Sequence, residues 1–137
     1  MAEMPSPNQQ NDIVLTNFIV SNDIERSVSF YTRVLGGELA MNMEGGPAVV
    51  QLANSWIIIN GGGGPTDDKP EVTLEVQTDP TRTSAFLNIR VADIHAIYAK
   101  WSALGAEFLT PPTDRGSELR CYLRDPDGHL IEVGQSR

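Results

Sequence analysis

The 137-residue sequence has one cysteine, Cys121, and two histidines, His95 and His129. A single cysteine excludes an internal disulfide and a zinc site built from thiolates. Cys121 lies in an apolar, strand-like run and is expected to be an inert buried thiol. Basic residues are scarce. Ten Lys and Arg stand against 18 Asp and Glu, for a formal charge of −8. That balance argues against nucleic acid or an anionic membrane as partner, because phosphates need a basic surface. It suits a small cationic ligand, and it suits general solubility as well. Long apolar runs are missing too. None approaches the ~20 residues needed to cross a bilayer. Met1 to Asp12 is polar and proline-bearing and has no apolar centre. It reads as a loose tail rather than a signal peptide, which points to the cytoplasm.

The length allows one domain, or two small similar halves sharing a core. Ile13 to Val20 is rich in β-branched residues and is expected to be a strand. Asn22 or Asp23 then caps a helix, and Asn22 with Glu25 has capping-box spacing. Ile24, Val28, Tyr31, Val34 and Leu35 recur at helical spacing as its buried stripe. Gly36 ends it. Three short strands are expected at Glu38–Met43, Ala48–Ala53 and Ser55–Ile59, with turns at Gly45-Gly46-Pro47 and Asn54. Four consecutive glycines and two prolines fall between Asn60 and Pro70. A phosphate loop needs a helix with a lysine and hydroxyl next, and Pro65-Thr66-Asp67-Asp68 follows with no helix signal, so this reads as a flexible linker. Glu71–Gln77 alternates like an extra strand. Ser84–Val91 is a strand, Asp93 caps a second helix striped by Ile94, Ile97, Tyr98, Trp101 and Leu104, and Gly105 closes it. Ala106–Leu109 and Glu118–Leu123 read as strands. The tight turn Asp125-Pro126-Asp127-Gly128 then feeds a last one.

The two halves repeat. Asn17-Phe18-Ile19-Val20 matches Asn88-Ile89-Arg90-Val91, Asp23-Ile24 matches Asp93-Ile94, and Leu35-Gly36 matches Leu104-Gly105. The offset is 71 at the strand and 69 at the helix end, so an extra residue is placed near Asn22. Strand, capped helix, glycine stop and three strands occur twice, as in a duplicated supersecondary module. Each helix is expected to cover one sheet face: Val14, Phe18 and Val20 in the first half, Leu87, Ile89 and Val91 in the second. The opposite face would carry Leu15, Asn17 and Ile19, then Phe86, Asn88, Arg90, Leu130 and Glu132. Two such curved sheets facing each other would enclose a cleft.

Two runs carry a resemblance to a known family. One is Asp23 to Tyr31 with Val34-Leu35-Gly36. The other is Arg90 to Ile94, Leu104-Gly105-Ala106 and Arg124 to Glu132. Over roughly Ile13 to Val133 the chain resembles the vicinal oxygen chelate superfamily, which includes glyoxalase I, fosfomycin- and bleomycin-resistance proteins and extradiol dioxygenases. The resemblance implies an α+β fold of two tandem βαβββ modules, with curved mixed sheets around a cleft and helices outside. It also implies a homodimer. The expected layout is a tail over 1–12, a first module over 13–60, a linker with an extra strand over 61–83 and a second module over 84–137.

In metal-dependent members of that family a histidine on each first strand joins a glutamate on the last. Glu132 matches the glutamate. The histidine positions fall on Phe86 in the second half, and on Leu15 or Thr16 in the first, with Asn17 the nearest polar residue. His129 has the wrong parity on the last strand to join Glu132. The expected site is therefore a metal-free cleft for a small organic molecule, lined by Asn17, Phe86, Asn88, Arg90 and Glu132, with Trp56 and Tyr122 as apolar walls. Glu132 pairs with Arg90 or anchors the ligand. The alternative is a glyoxalase-like lyase or extradiol-type dioxygenase. In that reading Glu132 is the general base, or the one ligand of a divalent nickel, zinc, iron or manganese ion.

Overall fold

The computed structural model describes residues 12–137. The tail expected over Met1 to Asp12 lies, except for Asp12, outside the described residues. The chain divides into two compact units, one ending at Val76 and the other beginning at Gln77.

The first unit runs β1 (Asn17–Val20), α1 (Ile24–Ser29) continued by a π-helical turn (Phe30–Val34), β2 (Glu38–Asn42), β3 (Ala48–Leu52) and β4 (Ser55–Asn60). The second runs β5 (Leu87–Arg90), α2 (Ile94–Ala103), β6 (Thr113–Asp114), β7 (Glu118–Arg124) and β8 (Leu130–Ser136). Each unit is a four-stranded mixed sheet in the order first, last, third, second, with the first and last strands parallel. This is the two-module α+β architecture expected from the repeat.

Both helices begin as the capping residues predict. Asp23 accepts the Arg26 N–H and Asp93 accepts the Ala96 N–H, each at 3.1 Å. A carboxylate there satisfies one of the orphan donors of the first turn. Of the two candidates, Asp23 rather than Asn22 is the cap. Gly36 and Gly105 take the left-handed conformation that closes each helix.

The core of the second unit is Cys121, Leu123, Ile131 and Val133, all essentially inaccessible, with Ile94 and Trp101 of α2 buried as well. Cross-strand pairs Cys121–Val133 and Leu123–Ile131 stack these side chains on one face. Each such aliphatic burial is worth roughly 1.5–3 kcal/mol. Burial also pushes the Cys121 thiol up to about 11, so it is protonated and unreactive as expected.

The repeat register differs from the one read in the sequence. Ser21 N–H donates to Asn60 C=O just as Val91 N–H donates to Gly134 C=O. Ser21 and Val91 are 70 positions apart, as are Asp23 and Asp93, while Gly36 and Gly105 are 69 apart. Strand and cap therefore share one offset, and no residue is inserted near Asn22. The extra residue lies inside the first helix, where Leu35 N–H donates to Phe30 C=O five residues back. A π turn absorbs one residue without breaking the helix. Thr32 Oγ1, bonded to the Val28 carbonyl at 2.7 Å, helps satisfy the widened turn.

This register corrects the faces of the first module. Asn17 and Ile19 pair with Ile57 and Ile59, which are buried with Ala48 and Val50. A Cβ at Gly37 would meet both Val50 and the Tyr31 carbonyl, so the Val50 side of the sheet is the helix side. Asn17 and Ile19 therefore face α1. Phe18, with Ile58 and Trp56, lies on the opposite face.

Four expected strands change. Glu71–Gln77 is not a strand; only Leu74 forms a bridge, back to Gly63. Glu71 has a φ of 66°, which no extended strand tolerates, and Lys69 Nζ ties the segment to the carbonyls of Gly64 and Val72. Ala106–Leu109 reduces to a single bridge at Phe108, whose ring packs on Tyr98 of α2 at 4.8 Å. The short edge strand comes later, at Thr113–Asp114. The strands expected from Ile13 and Ser84 begin instead at Asn17 and Leu87.

Candidate functional site

Strand β8 alternates strictly. Ile131 and Val133 point to α2, and so does Gln135, whose Oε1 accepts the Ile94 N–H at 2.8 Å. Leu130, Glu132, Gly134 and Ser136 therefore lie on the face turned away from α2. Pairing extends that face sideways. Asn88 and Arg90 of β5 sit opposite Glu132 and Gly134, while Arg120, Tyr122 and Arg124 of β7 sit opposite Gly134, Glu132 and Leu130. Phe86, just before β5, meets the Tyr122 ring edge-on at 6.2 Å.

Glu132 is 7% exposed. Its Oε2 accepts the Tyr122 hydroxyl at 3.2 Å. Oε1 has no hydrogen-bond partner among the described residues, yet it is not sealed from solvent. Burial, and then the Glu132 charge, raises the Tyr122 phenol above its ordinary value, so the phenol keeps its proton and remains a donor. The Asn88 amide beside Glu132 is exposed and carries no hydrogen bond among the described residues.

Arg90 does not pair with Glu132. Its Nη2 reaches Glu118 Oε2 at 3.0 Å and Ser136 Oγ at 3.0 Å. The reason is Gly134, the residue opposite Arg90. A methyl there would fall on the guanidinium, so the glycine leaves a notch across which the arginine lies. Arg120 flanks the same carboxylate, with Nη1 at 3.4 Å from Glu118 Oε1, and its guanidinium stands 5.8 Å from the Tyr122 ring centroid.

Five of the seven residues expected at the site thus share one face: Phe86, Asn88, Arg90, Tyr122 and Glu132. The other two belong to the first unit. Asn17 lies on the helix side, where its amide donates to Ser55 Oγ at 3.0 Å. It is not the repeat partner of Asn88; that position is held by Phe18. Trp56 lies on the face turned away from α1. Arg120 and Glu118 were not anticipated, although Glu118, Arg120, Tyr122 and Arg124 alternate with Leu119, Cys121 and Leu123 in plain view.

The donors around Glu132 do not fit the metal set of the resemblance. They are one carboxylate, a phenol and an amide, and a transition ion prefers imidazole or thiolate beside its carboxylate. His95 is on α2, and His129 precedes β8. A different set gathers in the turn before β8. Ligand atoms of Asp125, Asp127 and His129 lie within 4.8 Å of one another. Asp125 Oδ1 already accepts the Asp127 and His129 N–H groups, both at 2.9 Å, so this carboxylate first of all builds the turn.

Comparison with known proteins agrees with the fold. Metallothiol transferase FosB of Shouchella clausii is 30% identical over 126 residues, covering 90% of this chain and 79% of that protein. A glyoxalase/bleomycin resistance protein/dioxygenase from Nocardioides superposes with a TM-score of 0.71 at 23% identity, over 90% of this chain and 83% of the other. TnmS3, an antibiotic binding protein from Streptomyces sp. CB03234, does so with a TM-score of 0.65 at 18% identity, over 91% and 98%. The family profile matches residues 12–133. The chain belongs to the Glyoxalase/Bleomycin resistance protein/Dioxygenase superfamily.

Proposed function

We propose that this protein binds a small organic molecule over the polar face of its second sheet, without a metal at Glu132. The observation that carries this reading is the Glu132 carboxylate. It is almost buried, it has one protein donor, and its second oxygen is left open toward the face. An acid so placed has an acceptor to offer a further partner. A ligand hydroxyl or amine would supply one, with the Asn88 amide able to donate or accept beside it. Phe86 and Tyr122 offer aromatic surface for the body of the molecule. Binding of this kind needs shape and a few polar anchors and no reacting group. The antibiotic-binding relative supports it at the level of fold.

Two further points belong to this reading. Ile13 and Leu15 are 84% and 86% exposed and Phe18 is 48% exposed. Apolar surface of that kind suits a homodimer, which sedimentation would test. A lone buried cysteine is at home in the cytoplasm.

The 30% identity to a metallothiol transferase favours a second reading, a metal-assisted enzyme in which Glu132 is a ligand. Metal analysis of protein purified without chelator separates the two. Well below one ion per chain is expected at Glu132. Near-stoichiometric nickel, zinc, iron or manganese that disappears in Glu132→Gln would establish the second reading. Metal retained by that variant belongs elsewhere, with Asp125, Asp127 and His129 the first place to look.

A further inference from the structure

The charge of the whole chain and the charge of this face have opposite signs. On the face turned away from α2, Arg90, Arg120 and Arg124 stand against Glu118 and Glu132. That leaves a formal excess of one positive charge in a chain of formal charge −8. The excess is not spread evenly. Arg124 donates to the Pro80 and Gly128 carbonyls, and so holds the loop. Arg90 lies in the Gly134 notch, bonded to Glu118 and Ser136. Arg120 is the least committed. Its one ion contact is the longer of the two on Glu118, at 3.4 Å, and its side chain is 32% exposed. Its Nε and Nη2 carry no hydrogen bond among the described residues. One carboxylate, Glu118, is thus shared by two guanidiniums.

We infer that the ligand of this face is an organic acid, whose carboxylate docks on Arg120 and whose hydroxyl or amine donates to Glu132 Oε1. The inference rests on the reading that this face binds a small organic molecule, and it names that molecule's chemistry. Two observations carry it. The guanidinium fork matches the two oxygens of a carboxylate, and Arg120 has most of its fork to offer. Glu132 Oε1 accepts only, so the other end of the ligand must donate. Residues two apart on a strand are about 7 Å apart, and Tyr122 lies directly opposite Glu132. That backbone spacing sets the scale of the ligand, about the span of one aromatic ring between its acid and donor ends. That ring would lie along Tyr122 and Phe86. An overall acidic chain suggested a cation; the local arrangement asks for an anion with a donor at its far end.

The test uses three probes of one shape: 4-hydroxybenzoate, neutral 4-hydroxybenzamide and cationic 4-hydroxybenzylamine. Each is titrated calorimetrically into the full-length protein at low salt. The acid is expected to bind about tenfold tighter than the amide, because one charge-assisted bidentate contact separates them. In Arg120→Gln that ratio should fall to about one, chiefly through loss of affinity for the acid. Arg120→Lys should keep part of the ratio, and circular dichroism should show both variants folded. Glu132→Gln should weaken all three probes. An amine that binds as tightly as the acid overturns the inference but leaves the binding face standing. So does an acid-to-amide ratio untouched by Arg120→Gln. If none of the three binds up to about 10 mM, the inference and the binding reading fall together.

Discussion

Replacing Glu132 with leucine separates a functional carboxylate from a structural one. In the folded protein this acid is 7% exposed, has one hydrogen bond at 3.2 Å, and has a second oxygen with no protein partner. A hydrogen bond to a charged group contributes roughly 1.5–3 kcal/mol. At 3.2 Å, beyond the usual length for a hydroxyl on a carboxylate, the lower end applies. Against this stands the desolvation of an incompletely paired carboxylate, about 1–3 kcal/mol. Leucine also gains roughly 1.5–3 kcal/mol of apolar burial. Glu132→Leu is therefore expected to raise stability by about 1 kcal/mol or more while removing ligand binding. The measurement is urea unfolding at neutral pH, reading the shift in midpoint at constant slope. A variant destabilised by more than about 1 kcal/mol would mean that the carboxylate holds the fold together, and the functional argument built on it would collapse. Retaining an acid that weakens the fold is otherwise what a binding site looks like.

Asp125→Ala removes the acceptor of two backbone N–H groups in the turn that starts β8; the expected loss is about 2–4 kcal/mol in chemical unfolding. Cys121 is raised to about 11 in the fold, so its contribution is whole below the unfolded-state value near 9 and is lost as pH rises toward 11. Stability should fall by up to about 2–3 kcal/mol across that window in the native protein, and by correspondingly less in Cys121→Ala. Burial and the Glu132 charge raise the Tyr122 phenol, so in Glu132→Gln the tyrosinate absorbance assigned by Tyr122→Phe should appear at lower pH than in the native protein.

Much of the fold was visible in the residues, because the signals were local and mutually consistent. Asp23 and Asp93 cap, Gly36 and Gly105 close, and Ile131 and Val133 alternate with Glu132. The misreadings share a different cause. Those at the candidate site needed knowledge of what lies opposite each residue on the neighbouring strand. Asn17 and Asn88 look like repeat partners because the residue types agree. The hydrogen bonds of Ser21 and Val91 set the true register, and a one-residue slip turns every side chain of a strand to the other face. Arg90 is also spaced to reach Glu132 on paper, and only the notch at Gly134 sends it to Glu118 instead.

The corrected register changes how the duplication should be understood. With Asn88 opposite Glu132 and Phe18 opposite Ile58, the position that holds the acid in the second module holds an isoleucine in the first. Its neighbours follow the same division. Phe18, Trp56 and Ile58 bring apolar side chains to the first module's face, beside Gln51 and Asn60, whereas Asn88, Arg90, Arg120, Tyr122 and Glu132 bring polar ones to the second's. The helix-side faces have diverged less: Ile57 and Ile59 match Ile131 and Val133 as buried aliphatics, although Asn17 stands where the second module has Leu87. Packing against the helix constrains both copies alike, while the opposite faces are free to differ. A polar cluster that survives in one copy only, and contains an acid with an open oxygen, is not required by the fold the copies share. On the proposed reading its residues answer to a ligand, and that ligand would meet the second module's sheet.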